Sequence, residues 1–400
     1  MIARKIEALV KKDMAEYPAV TLFGPRQCGK TTLAKTLFPA FSYANLEDPQ
    51  VRLLATTDPN EFFVKFPEPV IIDEIQHVPE LLSTVQVRID KNHAAGQYLF
   101  TGSQQIPLKK AVAQSLAGRT AVRNMLPFSI EELKEAGIQL DRDTQLLSGF
   151  MPFLYKSAGH APSDYYRNYI ETYVERDVVG TQAIHDMVKF MNFLKLLAGR
   201  IGQLVNSSAL SAEVGVSVPT INSWISVLEA SHILFKLQPW YASRTSQIVK
   251  TPKIYFCDTG IAASLLGIQT PSQMSRDPLM GRLFENMIIL EAVKVRCNAG
   301  SAYELFFFRN SNGLAVDLIK KGASNFNLFE IKSGKSLDKN FTRNMKNFIS
   351  KYEQCKSDDI LGTVIYSGED VPSFNNFAFV NYTHCSYLFY DKEKKFRLQF

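Results

Sequence analysis

The fold of this chain follows from one stretch, Phe23-Gly24-Pro25-Arg26-Gln27-Cys28-Gly29-Lys30-Thr31-Thr32. An apolar run that begins at Ala19 precedes it, and a helical pattern that ends near Leu37 follows it. A strand, a glycine loop and a helix in this order are the context in which G-x-x-x-x-G-K-T binds phosphate. The two glycines allow a tight path whose backbone N–H groups point at an anion, and the helix start adds partial positive charge. The stretch therefore predicts a nucleotide-binding loop.

The residue types of the loop indicate which groups they meet. Lys30 is expected to reach the β- and γ-phosphates, and the Thr31 hydroxyl to ligate Mg²⁺. A chance glycine turn before a helix is the alternative, but every fixed position and both flanks fit the phosphate loop. We predict ATP and Mg²⁺ as ligands, with nucleotide contacts from Gly24, Pro25, Arg26, Gln27, Cys28, Gly29, Lys30, Thr31 and Thr32.

A second apolar strand, Val70-Ile71-Ile72, ends in two adjacent carboxylates, Asp73 and Glu74. One or two strands after a phosphate loop, this pair has a direct chemical meaning. Asp73 is expected to hold Mg²⁺, directly or through water. Glu74 is expected to orient and polarise the attacking water. The pair predicts hydrolysis of ATP and disfavours a small-molecule kinase, whose acceptor needs no activated water.

A third strand, Tyr98-Leu99-Phe100-Thr101, ends in small polar residues. In an additional-strand ATPase, the strand between the phosphate-loop strand and the Asp-Glu strand carries a polar sensor of the γ-phosphate. Ser103 or Gln104 fits that role, and an ordinary helix cap by Ser103 fits the sequence equally well.

Two arginines follow, Arg119 and Arg123. Arginine stabilises the charge that develops in phosphoryl transfer, so either residue is a candidate to act on the ATP of a neighbouring subunit. A homo-oligomer with shared active sites is the corresponding expectation. The alternative for each arginine is a surface or salt-bridged side chain.

Bulk composition limits the class of protein. The chain has 400 residues, 46% hydrophobic and 21% charged, with a net charge of +6 that leans toward nucleic acid. No apolar run approaches the roughly 18 residues of a membrane span, and the first residues carry charges where a signal peptide is apolar. The five cysteines are scattered without a C-x-x-C pair, which favours a reducing cytoplasm. We therefore expect a cytoplasmic protein with no membrane partner.

Several motifs in a fixed order resemble one family. They are Gly-Pro-Arg-Gln-x-Gly-Lys-Thr-Thr-Leu, Ile-Asp-Glu-Ile-Gln, Thr-Gly-Ser, Leu-Ala-Gly-Arg and Leu-Pro-Phe-Ser-x-x-Glu-Leu. This set is similar to prokaryotic AAA-type ATPases that carry a C-terminal domain of unknown function. The segments 148–152 and 169–178 resemble that family's linker between ATPase and tail. The resemblance covers nearly the whole chain and implies a winged helix in the middle.

The middle of the chain has a helix–turn–helix pattern. Two short helical segments flank the Gly215-Val216 turn, and a strand pattern begins at Ile233. Helix, turn, helix and strand predict a winged helix-turn-helix. The exposed positions of the second helix carry no lysine or arginine; they are Thr220, Asn222, Ser223, Ser226 and Glu229. DNA contact through basic residues in the wing region and beyond, Lys236, Arg244, Lys250 and Lys253, competes with a structural module that packs on the ATPase, which we slightly favour.

The tail contains an ordered set of acidic and basic residues. Glu285 lies on a predicted helix, Asp317 on a strand, and Glu330 and Lys332 on the next strand, where a spacing of two puts them on one face. The order resembles the PD-(D/E)XK nuclease core. Asp317 and Glu330, with Glu285 assisting, would hold a hard divalent cation, and Lys332 would steady a metal-activated water. The alternative is a surface ion pair beside a solvated aspartate, and Ala315 departs from the acidic residue common at that position in the family.

Beyond Lys332, the basic residues Lys339, Arg343 and Lys346 fall on one helix face, with Lys335 just ahead. The predicted class is α/β, with an AAA-type P-loop ATPase domain at 1–140, a helical linker and winged helix at 141–250 and a nuclease-like domain at 251–400. The predicted function is Mg²⁺-dependent ATP binding and hydrolysis on or near nucleic acid. The alternative function is a nucleotide-dependent switch whose winged helix and tail bind protein partners.

Overall fold

The computed structural model describes residues 2–103, 112, 114–156, 159–173, 184, 186–241, 251–322, 326–352 and 361–391. The chain divides into two compact units. The first contains residues 1–128 with two short segments, 230–232 and 297–301, and the second contains the rest.

The first unit is built on a five-stranded sheet in the order β2-β3-β4-β1-β5. Every neighbouring pair in it is parallel. Its strands are β1 (Ala19–Phe23), β2 (Ser42–Asn45), β3 (Val70–Asp73), β4 (Tyr98–Gly102) and β5 (Thr120–Asn124). Its helices are α1 (Glu7–Glu16), α2 (Lys30–Leu37), α3 (Pro49–Thr57), α4 (Pro59–Lys65) and α5 (Leu81–Lys91).

The strand order confirms the predicted additional-strand type. The extra strand β4 lies between the phosphate-loop strand β1 and the Asp-Glu strand β3. Phe100 of β4 pairs with Thr21 of β1 on one side and with Ile72 of β3 on the other. All residues of β1, β3 and β4 are buried, as expected for parallel strands that are covered on both faces. Because the carboxyl ends of parallel strands share one edge, the loops after them meet there.

The second unit is built on an eight-stranded mixed sheet in the order β12-β13-β11-β10-β9-β8-β6-β7. Its strands are β6 (Leu234–Pro239), β7 (Lys253–Phe256), β8 (Leu305–Arg309), β9 (Ala315–Lys321), β10 (Phe326–Lys332), β11 (Gly362–Tyr366), β12 (Val371–Phe374) and β13 (Phe377–Asn381). The three strands β8, β9 and β10 are antiparallel, whereas β11 pairs parallel with β10.

The helices of the second unit come mainly before this sheet. They are α6 (Ile130–Glu135), α7 (Arg142–Ser148), α8 (Phe153–Lys156), α9 (Pro162–Tyr173), α10 (Met187–Ala198), α11 (Ser207–Val214), α12 (Val218–Ala230), α13 (Thr259–Leu265), α14 (Pro271–Arg276), α15 (Met280–Ala299) and α16 (Arg343–Lys351). A 3-10 turn, Lys339–Thr342, precedes α16, so the basic residues predicted to share one helix face are divided between this turn and the helix.

One hairpin crosses the domain boundary predicted at residue 250. β6 pairs antiparallel with β7, and β6 also pairs parallel with β8 of the tail. Residues from both sides of the boundary thus share one sheet. The three domain ranges stay a prediction, but the tail sheet draws on strands from the middle of the chain. Among the described residues, no helix has both the length and the apolar composition of a membrane span.

Candidate functional site

The phosphate loop lies between β1 and α2, and its backbone conformation requires its glycines. Gly29 has a φ of 99° and Gln27 a φ of 60°, both in the left-handed region. A Cβ atom on Gly24 would lie 2.0 Å from the carbonyl oxygen of Met125. Glycine therefore serves two purposes here, since one position needs its backbone freedom and the other needs the absence of a side chain.

Arg4 holds this loop from outside and was not predicted from the sequence. Its guanidinium donates to the carbonyl oxygens of Cys28 at 2.9 Å and Leu126 at 2.5 Å. It also lies 4.8 Å from the ring centroid of Phe128. The arginine is 8% exposed. It thus ties the loop to the segment after β5, a contact that joins residues 122 apart and leaves no local sequence signal.

Lys30 is held by the loop that precedes it. Its side chain is 4% exposed, and its Nζ donates to the carbonyl oxygens of Gly24 and Pro25 at 2.9 Å each. An ammonium group has three donors, so these two bonds leave one donor available. The loop's own carbonyls thus orient the ammonium group of Lys30, which the sequence predicts to meet the phosphates.

Asp73 is the acceptor at the centre of the site. Thr31 donates its hydroxyl to both carboxylate oxygens, at 3.0 and 2.9 Å, and Tyr43 donates at 2.8 Å. Thr101 on β4 makes a third hydroxyl contact. Asp73 is 4% exposed, so its charge is stabilised by hydroxyl donors. Burial and then the hydrogen bond to Asp73 raise the pKa of Tyr43. The structure thus brings the two predicted Mg²⁺ ligands, Thr31 and Asp73, into contact.

Glu74 is held by polar neighbours from the turn after β3 and from the end of β4. It has a φ of 56°, and its N–H donates to Thr101 Oγ1 at 3.1 Å. Its carboxylate accepts from Gln76 Nε2 and, at 3.2 Å, from the Ser103 hydroxyl. Ser103 therefore lies beside Glu74 at the end of β4, and its role as a γ-phosphate sensor stays a prediction. Gln104, the other sensor candidate, lies outside the described residues.

The other residues predicted to contact the nucleotide differ in their exposure to solvent. Pro25 and Cys28 are buried, and the Cys28 sulfur donates to the Met125 carbonyl at 3.4 Å. Arg26 pairs with Glu47 at 3.3 Å. Gln27 and Thr32 are exposed. Side-chain packing of the loop thus involves Pro25 and Cys28, while the solvent face is polar.

The two candidate arginines each form an ion pair within the first unit. Arg119 contacts the exposed Asp90 at 2.7 Å. Arg123 contacts Asp13 at 2.6 Å, and Asp13 is 2% exposed. The second pair therefore has a structural role, because it compensates a buried carboxylate. A role of either arginine on a neighbouring subunit stays a prediction.

We expect Tyr43→Phe to lower ATP turnover about tenfold, the usual effect of losing a partner that orients a metal-ligating carboxylate. Turnover at saturating ATP should be measured across a Mg²⁺ titration. Tyr98→Phe is the matched control, since it removes a hydroxyl bond of 2.7 Å to Glu68 in the same sheet. Equal turnover and Mg²⁺ dependence in the two variants would show that Tyr43 does not position Asp73.

In the second unit, the structure brings together Asp317, Glu330 and Lys332. Lys332 Nζ lies 2.7 Å from Glu330 Oε1 and 3.7 Å from Asp317 Oδ2. Asp317 Oδ2 also accepts from the Ile331 N–H at 2.9 Å. These contacts link β9 and β10 at the place where the sequence predicted a nuclease-like cluster.

Glu285, the fourth predicted member, has partners that were not predicted. Its Oε1 accepts from Lys253 Nζ at 2.9 Å and from the Tyr255 hydroxyl at 2.5 Å. Both partners lie on β7. Lys253 was among the basic residues considered for DNA contact, yet its side chain is only 12% exposed. The pairing of β6 with both β7 and β8 explains this difference, because it places β7 in the tail sheet.

The charges of this cluster compensate one another. Burial and then the charge of Asp317 raise the pKa of Glu330, and Lys332 opposes that rise. Burial lowers the pKa of Lys332, but the carboxylates of Asp317 and Glu330 outweigh it, so the net shift is upward. The result is a buried network in which lysines partly neutralise carboxylates.

The fit of this cluster to a divalent cation is incomplete. Glu330 Oε2 is buried without a hydrogen-bond partner, which suits a cation ligand. Glu285, however, is engaged by Lys253 and Tyr255. Over the described ranges, no three His, Cys, Asp or Glu side chains form a group that could hold a metal ion. We therefore derive no chemical step through a metal in the tail.

Comparisons with known proteins agree with the architecture of the first unit. Residues 16–134 match a family model described as an AAA domain. Residues 139–272 and 280–387 match two models described as domains of unknown function, DUF8612 and DUF4143. Uncharacterized proteins of Mycobacterium bovis and Mycobacterium tuberculosis are each 26% identical over 333 residues, which is 82% of this chain and 73% of each relative.

Two solved structures show weaker similarity. A Walker-type ATPase of Pyrococcus abyssi is 14% identical with a TM-score of 0.45, over 66% of this chain and 96% of that one. AMPPCP-bound DnaA from Aquifex aeolicus is 13% identical with a TM-score of 0.29, over 56% of this chain and 85% of that one.

The parallel sheet, the phosphate loop and the family match together define the class. The first unit contains a P-loop ATPase domain of AAA type, matched at residues 16–134. The protein is accordingly an ATPase that binds and hydrolyses ATP.

Proposed function

We propose that this protein is a cytoplasmic, Mg²⁺-dependent ATPase that acts on nucleic acid through a tail related to nucleases. The observation that carries the nucleic-acid part is the convergence of Asp317, Glu330 and Lys332, with Lys332 Nζ within 3.7 Å of both carboxylates. A lysine beside two acidic groups at the ends of paired strands is the side-chain set that phosphodiester chemistry uses.

The ATP site supports the dependence on Mg²⁺. Thr31 and Asp73, already in contact at 2.9 Å, would hold the ion. Mg²⁺, when bound, would supply positive charge that neutralises the charge developing on the phosphates. Lys30 would bind the phosphates, and the loop amides would cradle them. Glu74 would accept the proton of the attacking water as the bond from its oxygen to the γ-phosphorus forms and the bond from that phosphorus to the β–γ bridging oxygen breaks, so that ADP leaves.

The strand order of the tail supports a nuclease-like core. β8, β9 and β10 are antiparallel, α16 follows β10, and β11 returns parallel to β10. Asp317 lies on β9, and Glu330 and Lys332 lie on the neighbouring strand β10.

The middle segment supports a winged helix with a structural role. α11 and α12 are followed by the antiparallel pair of β6 and β7. Lys236 pairs with Glu229 at 2.8 Å, and Lys253 is buried against Glu285. Two of the basic residues considered for DNA contact are therefore paired with carboxylates of the protein itself. Arg244 and Lys250 lie outside the described residues.

A shared active site in a homo-oligomer is part of the proposal, with Arg119 as the cleaner test. Arg119→Ala removes an exposed ion pair. Arg123→Ala leaves the buried Asp13 carboxylate without its cation and therefore destabilises the fold. If Arg119 acts in trans, its removal lowers turnover with little change in ATP affinity. Full activity of a monomer at all concentrations would contradict shared sites.

A second candidate is a nucleotide-dependent switch whose tail binds partners without cutting nucleic acid. The pairing of Glu285 with Lys253 and Tyr255 favours it, because this carboxylate is already satisfied within the protein.

The test is an ATPase assay on the full chain with and without DNA or RNA, with EDTA as the Mg²⁺ control. We expect DNA or RNA to stimulate ATP turnover by the wild-type protein but not by Glu74→Gln. If nucleic acid neither binds to the protein nor alters its ATP turnover, the result favours the nucleotide-dependent switch. Cleavage that is lost in Lys332→Ala, while ATP turnover persists, assigns nuclease activity to the tail.

A further inference from the structure

A basic groove opens on the second unit, where the 3-10 turn before α16 and the start of α16 face the turn between β12 and β13. Its volume is about 290 Å³. Three cations line it, Lys339, Arg343 and Lys346, together with the amides of Asn340, Asn347 and Asn375. This groove is separate from the cluster around Glu330, whose residues do not line it.

The described lining of the groove is positively charged. None of the described residues that line it is acidic, and all three cations are exposed. Over the part of the chain that the structure describes, none of the three forms an ion pair. Lys346 only approaches an aromatic ring, with Nζ 5.5 Å from the centroid of Phe377. Because such charges repel each other, a bound polyanion would relieve the repulsion.

The spacing of the cations suits a ligand with several charges. Lys339 begins the 3-10 turn, and Arg343 and Lys346 follow on α16, three residues apart, which is about 4.5 Å of axial rise. Cations at successive positions along the groove can contact successive phosphates of a nucleic-acid strand.

The remaining lining residues favour nucleic acid over an acidic protein. Asparagine amides both donate and accept, so they can contact phosphates and base edges, which an acidic peptide does not offer. The turn that contributes Asn375 has two left-handed residues, Asn375 with φ 52° and Asn376 with φ 64°. Next to it is Phe374, which is 37% exposed. An exposed ring beside a basic groove is a stacking surface for an unpaired base.

We propose that this groove binds single-stranded nucleic acid, with Lys339, Arg343 and Lys346 on the phosphates and Phe374 stacked on a base. The inference rests on the proposed action on nucleic acid and names the surface that holds the strand.

The test compares two double variants of the full chain in fluorescence anisotropy with a labelled 20-nucleotide single strand. Arg343→Gln/Lys346→Gln removes two cations of the groove. Lys321→Gln/Lys351→Gln removes two exposed lysines of the same unit that do not line it. The groove variant should bind about tenfold more weakly or worse, and its salt slope should fall by about 1.4, at about 0.7 per lost phosphate contact. The control should stay within about twofold of wild type, since it touches no phosphate.

Two further measurements sharpen the result. Phe374→Ala should weaken binding of single strands about fivefold or more through lost stacking. ATP turnover without nucleic acid should be unchanged in every variant, because the ATP site lies in the first unit, and an unchanged melting temperature should show that the second unit is folded.

Three outcomes would overturn the inference. If wild type binds the strand but the groove variant has the same affinity and salt slope, the groove is not the site, and the proposed function survives. If polyglutamate binds as tightly and responds to the same variants, nucleic acid is the wrong ligand class. If wild type binds neither DNA nor RNA, both this inference and the proposed action on nucleic acid fall.

Discussion

Glu74→Gln is expected to bind ATP normally and to hydrolyse it at least about 100-fold more slowly, because it removes the group that accepts a proton from the attacking water. Lys30→Ala is expected to lose ATP binding, since a buried ammonium that faces the phosphates is replaced by a methyl group. Binding should be measured with a fluorescent ATP analogue and turnover by phosphate release. The two variants thus separate binding from chemistry at one site.

Matched controls lie on α5 or at its start, away from the loop. Glu80→Gln and Lys91→Ala make similar side-chain changes at exposed positions of the first unit. They should retain wild-type binding and turnover. If Glu74→Gln and Lys30→Ala also turn over ATP at the wild-type rate, the assignment of the site is wrong.

Gly24→Ala is expected to abolish ATP binding even though it adds one methyl group. That carbon would lie 2.0 Å from the backbone oxygen of Met125, and backbone cannot move aside as a flexible side chain can. Either the loop or the segment after β5 must shift, at a cost of roughly 1–3 kcal/mol. The loop carbonyls that orient Lys30 would shift with it, because Gly24 supplies one of them.

Gly334→Ala is the control, since nothing lies within 4 Å of a Cβ atom at that position. It should leave melting temperature and ATP binding unchanged. Gly24→Ala should lower both. Normal ATP affinity in Gly24→Ala would mean that the loop adopts a different path from the one described.

Much of the ATP site could be predicted from sequence because its chemistry is local. The phosphate loop, the Asp73-Glu74 pair and Ser103 each follow a short apolar strand. Parallel strands end at one edge, so local patterns sufficed to bring these residues together. The spacing of Glu330 and Lys332 likewise indicated a shared strand face, and the two groups are in contact.

Other residues depend on contacts between distant segments. Arg4 reaches Leu126, and Tyr43 reaches Asp73, across 122 and 30 positions. Neither residue type is distinctive at its position. The same holds for Lys253, which was a candidate for DNA contact until strand pairing placed it beside Glu285.

The sequence by itself determined the class of the first unit, and it predicted the phosphate-binding and water-polarising residues of that unit and the set of charged residues in the tail. Only the tertiary structure decided which donors hold Asp73 and Glu74, which cations remain unpaired around the groove at Arg343 and how the tail sheet recruits β6 and β7. The physical reason is range. Motifs and side-chain periodicity report neighbours along the chain, whereas ion pairing, burial and strand order depend on segments that meet only when the chain has folded.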